Sequence, residues 1–367
     1  MRTRYVGLGA VIAVLLASSA SFVVVGSQQY TAYQRAYATY QIAATGPCGA
    51  LITWSPPKVV YSGLYINQSS FLSLRYRSAD PETLRLSIGI EHFTQEQTVQ
   101  VRAAPAFQQF AFKPPLIGGS ALTLFAGADS FKTQIRLRVQ SPGGTICDTT
   151  APVTVKSPEW MHWYDASTNT DYSPYVAGWV TPDAPAVRQL IGKTAVWIQQ
   201  HPAMYPGTTG LFGYTSGSGA GQDVRNQVNA IFDTLQNDYH VSYAQDNVPY
   251  SQDAAQKVRL PQDVLSSPYP TGMCVETTAI LASAVESLGM RPYFVFVPGH
   301  VFLGVALGSS PYAPIEYWET SDLNGGVSGT TANVHGDDEY GRFQAANQIL
   351  RVIDVQFERG RGIEPIA

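Results

Sequence analysis

The sequence predicts an α+β protein in which an N-terminal membrane helix and an all-β sandwich precede a mixed domain, where a cysteine-bearing helix packs on an antiparallel sheet. Three observations carry that expectation. A long uncharged run follows Arg2 and Arg4; apolar and polar residues alternate between Cys48 and about Val155; and beyond "VKSPEW" (155–160) the periodicity becomes helical before giving way to strand-forming runs. The expected boundaries are an anchor over 1–27, a stalk over 28–47, a β-sandwich over 48–156 and a mixed domain over 157–367. With 367 residues, 45% of them hydrophobic, the chain is long enough for two cores.

The opening segment, "MRTRYVGLGAVIAVLLASSASFVVVG", is long enough to cross a bilayer as a helix of about 20 residues. Its positive flank stays inside, so the chain after about residue 27 belongs on the extracytoplasmic side, in the periplasm or at the cell surface. "ASSA" offers a signal-peptidase site after Ala20, but "SFVVV" extends the apolar run past a normal signal core and favours a retained anchor. The 28–47 stretch reads as a helical stalk without a clean heptad. Only 14% of residues are charged and the net charge is -4, which argues against nucleic acid as a partner, since phosphate binding needs a basic surface.

In the sandwich region, "TLRLSIGI" sends Leu84, Leu86, Ile88 and Ile90 to one face, and "KTQIRLRV" does the same with Ile135, Leu137 and Val139. "SADPE", "KPP", "IGG" and "SPGG" supply the turns. Cys48 and Cys147 flank this region in a compartment expected to be oxidising, and they are expected to form a disulfide that leaves Cys274 unpaired.

Two packing helices follow. Val187, Leu190, Ile191, Thr194 and Ile198 form a stripe over 185–199, opened by Pro185; Val224, Val228, Ile231, Phe232 and Leu235 form another over 223–236. The intervening "YTSGSGAGQ" follows no strand and lacks a Lys-Ser/Thr pair, so it reads as a surface loop and not a phosphate cradle. "YHVSY" (239–243) reads as a short strand.

The chemistry concentrates in residues 271 to 322. A helix is expected to begin at Cys274 and end at Gly289, with Ile280, Leu281, Ala284, Val285 and Leu288 as its buried face. Cys274 then lies in the first turn, where free backbone N–H groups and the helix dipole favour a thiolate. "YFVFV" is a strand, "PG" interrupts it, and His300 heads the strand that resumes. Placed there, the imidazole can take the thiol proton and return it to a leaving amine. A third group is needed to orient the ring, and "PIEYWETSDLNG" offers Glu316, Glu319 and Asp322; Glu319 is preferred, with Asp322 the alternative third member. The Cys274 backbone N–H would supply part of an oxyanion hole, with Gln256, Tyr269 or Gln262 as side-chain donor. Scattered histidines and the absence of His-Glu-x-x-His argue against a metal, and no cofactor is expected.

The order of cysteine at a helix start, histidine on a strand and carboxylate on the next resembles the transglutaminase-like superfamily, a branch of the papain-like cysteine fold. "QKVRLPQDVL", "GMCVETTAILASAVESLGMRPYFVFVPGHVFLGV" and "LRVIDVQFERGRGIEPI" resemble bacterial, membrane-anchored members, over roughly residues 158 to 366. The resemblance implies a papain/transglutaminase-like domain that cleaves or exchanges peptide or protein amide bonds through a thioester, with Cys274, His300 and Glu319 as its triad. It departs from the commoner pattern at the third position, where Asp is usual. The alternatives are an inactive scaffold of the same fold that binds a protein partner, or a subunit of a cell-envelope complex.

Overall fold

A computed structural model describes residues 52–366 apart from 79–80, 119–120, 126, 217–218, 246–248, 251–252 and 324–325. The expected anchor, the stalk and Cys48 lie outside the described residues, and the expected disulfide therefore does too; Cys147 is buried. Among the described residues no helix is long and apolar enough to cross a membrane. The chain is of mixed α+β class, with several sheets, and divides into two compact units.

The first unit holds Ser70–Pro115, Gln134–Pro152 and the chain up to Pro57. One sheet places Leu72–Tyr76 between Ile52–Trp54 and Gln108–Phe112, antiparallel to both. In another, Glu82–Ile90 runs antiparallel between Gln97–Ala103 and Ser130–Ser141. Leu84, Leu86, Ile88 and Ile90 are buried, as are Ile135, Leu137 and Val139 opposite them, because a period of two turns one face of each strand inward.

The second unit takes Lys58–Ser69, Leu116–Thr133 and everything from Val153 onward. This differs from the contiguous 48–156 domain expected from the sequence. Val59–Tyr61 pairs in parallel with Thr154–Lys156, and the short helix Ser62–Asn67 follows directly. Asn67 then exchanges two hydrogen bonds with the backbone of Glu364, at 3.0 and 2.8 Å, so the segment is fastened to the far end of the chain.

The centre of this unit is a four-stranded antiparallel sheet in the order Ile315–Trp318, His300–Ala306, Pro292–Val297, Arg351–Asp354. Alternate residues serve opposite faces. Phe294, Phe296, Val301, Leu303 and Val305 join Ile280, Leu281, Ala284 and Val285 of the helix Cys274–Ser287 in one core, while Val295, Val297, Phe302 and Tyr317 meet Tyr340 and Phe343 of the helix Gly329–Ala345 in another. A sheet covered on both faces explains why "YFVFV" is a continuous apolar run and not an alternating one. The helices Pro185–Gln200 and Ala220–Asn237 pack with the cysteine helix on the first face. The short strand expected over 239–243 is confined to Ser242–Tyr243, which pairs in parallel with Thr271–Gly272 just ahead of Cys274.

Candidate active site

Cys274 is the first residue of its helix. The first turn is closed from within: Glu276, three residues on from Met273, accepts a hydrogen bond from the Met273 N–H at 3.0 Å, and the Thr277 hydroxyl bonds the Met273 and Cys274 carbonyls. The other end stops at Gly289, whose φ of 71° allows the Met290 N–H to return to the Val285 carbonyl at 3.1 Å. The helix is thus fixed at both ends, and the thiol position with it.

His300 is delivered by a hairpin. Val297 and His300 form the last pair of the two central strands, joined by Pro298 and Gly299. Gly299 has φ 72°, the conformation a type II turn needs at the position after proline. The interruption seen in the sequence is therefore a tight reversal that sets His300 at the strand end.

Glu319 follows the neighbouring strand and caps a short 3-10 helix, Thr320–Asp322, by accepting the Ser321 N–H at 2.8 Å. Its carboxylate is 5% exposed and lies 3.0 Å from His300 Nε2 through each oxygen. With Nε2 engaged by Glu319, Nδ1 is the nitrogen left for Cys274, which lies close enough to the ring to shift its titration. Burial alone would drive the proton off His300, but the hydrogen bonds to Cys274 and Glu319 win and raise its pKa to about 10. Burial likewise works against the Glu319 charge, and the bond to His300 overcomes it, lowering the carboxyl to about 2. The two shifts have one cause, a proton held between the partners.

Of the other carboxylates in this stretch, Asp322 Oδ2 meets His335 Nδ1 at 2.7 Å and Glu316 forms an ion pair with Arg225. Neither is on His300. The three oxyanion candidates also separate. Tyr269 is 82% exposed, and Gln262 is bound to the Ala186 N–H and the Ser266 hydroxyl. Gln256 is 8% exposed, with its carbonyl held at 3.2 Å by Trp163 Nε1 and its amide directed at Met273 Sδ, 3.7 Å away, beside the cysteine. Strand pairing of Ala255–Lys257 with Trp160–His162 aims it there.

The sequence reading did not single out two further groups. Arg259 reaches Glu276 and the Thr271 carbonyl, tying the segment ahead of the cysteine to its helix. Glu339, from the helix Gly329–Ala345, brings its carboxyl up to Glu319, and its ligand atoms, those of Glu319 and His300 all lie within 4.8 Å of one another. The spacing is that of a small cation site, but His300 Nε2 and the Glu319 carboxylate already bond each other at 3.0 Å. Compared with known proteins, the chain matches no protein-family model and no curated protein. Its own geometry is what defines the site: a buried thiol at a helix start, beside an imidazole bonded to a buried carboxylate.

Proposed function

We propose that the protein is a thiol enzyme of the transglutaminase-like type that cleaves or exchanges amide bonds in peptides or proteins through a thioester. One observation carries this reading: the buried Glu319 carboxylate holds His300 Nε2 at 3.0 Å, which leaves Nδ1 for the neighbouring thiol of Cys274 at the helix start. In the reaction, Cys274 Sγ attacks the amide carbonyl carbon while its proton resides on His300. The tetrahedral oxyanion lies against the Cys274 backbone N–H and the Gln256 amide. His300 then gives its proton to the departing nitrogen as the C–N bond breaks, leaving a thioester. Water or an incoming amine, deprotonated by His300, attacks that thioester and frees the thiol. The apolar N-terminal run supports a membrane-tethered enzyme on the extracytoplasmic side, and a Cys48–Cys147 disulfide suits that setting.

The competing reading, an inactive scaffold of the same fold, is favoured by one fact: Cys274 is 0% exposed. Treating the folded full chain with iodoacetamide and locating the modified residue by mass spectrometry separates the two. The enzyme reading expects alkylation at Cys274 that collapses in His300→Ala. Labelling that His300→Ala leaves unchanged, or no labelling of the folded protein, would leave the scaffold.

A further inference from the structure

Glu319 receives more than the triad needs. Oε1 accepts the Ser321 N–H at 2.8 Å, both oxygens face His300 Nε2 at 3.0 Å, and a carboxyl oxygen of Glu339 lies within 4.8 Å of the pair. Two carboxylates cannot both hold full negative charge at that separation in a site this buried; one of them keeps a proton and donates it to the other. Glu319 is bound to the imidazolium, so the proton belongs to Glu339.

We propose that Glu339 is a positioning residue whose protonated carboxyl donates to Glu319 and holds it on His300 Nε2, extending the line from Cys274 to four members. The proposal rests on the thiol reading above and deepens it. Gly336, one turn earlier on the same helix, sets the approach. A Cβ there would come within 2.5 Å of the Tyr317 carbonyl carbon and 2.6 Å of the Trp318 nitrogen, so only glycine lets the helix lie on the strand that leads into Glu319. Burial and the facing Glu319 raise the Glu339 carboxyl to about 7, with His300 and Arg342 opposing. Of the other charges around that helix, Arg225 from the helix Ala220–Asn237 meets Glu316 on the adjoining strand, the Asp337 carboxylate accepts the Tyr317 N–H with Asp338 as a neighbouring like charge, and Asp322 meets His335. Arg342, 3.1 Å from Glu339 and mostly exposed, connects this end of the line to solvent.

The bond exists only while Glu339 is protonated, so orientation of Glu319 weakens as pH rises through about 7. Two measurements on the full chain test this. The rate of Cys274 alkylation by iodoacetamide should show a descending step near pH 7 in wild type. Glu339→Gln, which keeps a donor but cannot ionise, should lose the step, and Glu339→Leu should be slower by about tenfold, the scale of one hydrogen bond to a charged group. The unfolding midpoint of wild type relative to Glu339→Gln should fall over the same pH range, because a raised carboxyl contributes stability below its ordinary pKa of 4.5 and loses it through about 7. A step that persists in Glu339→Gln, or midpoints that run parallel, overturns the proposal. The stability profile reports on the carboxyl pair even in a protein whose thiol is inert, whereas loss of all alkylation speaks against the thiol reading itself.

Discussion

Arg259 holds Glu276 from three directions: its backbone N–H, Nε and Nη2 reach the carboxylate at 2.8, 3.0 and 2.7 Å, and that carboxylate is 1% exposed. The pair decides whether the cysteine helix starts where it does, since Glu276 also caps the Met273 N–H. Arg259→Met strands a buried charge and should destabilise the protein by about 3 kcal/mol, measured as a shift in denaturant midpoint at unchanged slope. A shift under about 0.5 kcal/mol, the range of ordinary surface substitutions, would show that the ion pair carries no structural load.

The third member of the line can be assigned by comparing two substitutions. Glu319→Gln removes the acceptor charge from His300 Nε2 and should slow Cys274 alkylation by about a hundredfold, in keeping with loss of a charged orienting group. Asp322→Asn touches only the His335 pair and should stay within about twofold. The reverse order would move the role to Asp322.

Stability should follow the His300 proton. Its pKa is raised to about 10, so the stabilisation is fully present below the ordinary value of 6.5 and disappears as pH climbs through about 10. Glu319, lowered to about 2, acts on the other side: its contribution is present above 4.5 and is lost as pH falls through about 2. The alkaline loss of thermal stability should be smaller in His300→Gln than in wild type, as differential scanning calorimetry would show. Equal slopes would mean that the imidazolium is not held by the fold.

Gly336→Ala places a methyl group against strand backbone, which cannot yield as a side-chain tip can. The helix has to move off the sheet, at about 2 kcal/mol, and Glu339 moves with it. Thermal unfolding measures the first effect. The second appears as loss of the near-neutral step in the alkylation profile, and retention of that step in a destabilised protein would uncouple the two.

With an amide substrate in hand, Gln256→Ala should lower kcat by about 10²-fold with little change in KM, because an oxyanion donor acts only as charge develops. An effect confined to KM would make Gln256 a binding residue.

What the sequence disclosed followed from how local each signal is. The cysteine helix was readable from its apolar stripe and Gly289, and the histidine hairpin from two strand-forming runs around Pro298 and Gly299, because neighbouring residues determine each. Glu319 and Asp322 could not be separated that way: three residues apart, they diverge only once the 3-10 turn sends one to His300 and the other to His335. Glu339 left no trace, being one acid in "GDDEY" until the register of a helix against a strand selects it. The same holds for Val59–Tyr61, three residues whose parallel partner lies almost a hundred positions away, too short a run for any periodicity to reveal.

The sulfur of Cys274 has no surface of its own. Any molecule that reacts with it must therefore arrive through a momentary breach in the surrounding wall, and the frequency of that breathing sets a ceiling on the rate of any reaction at the sulfur, alkylation included. The same enclosure slows adventitious oxidation of the thiol, which exposed cysteines undergo readily.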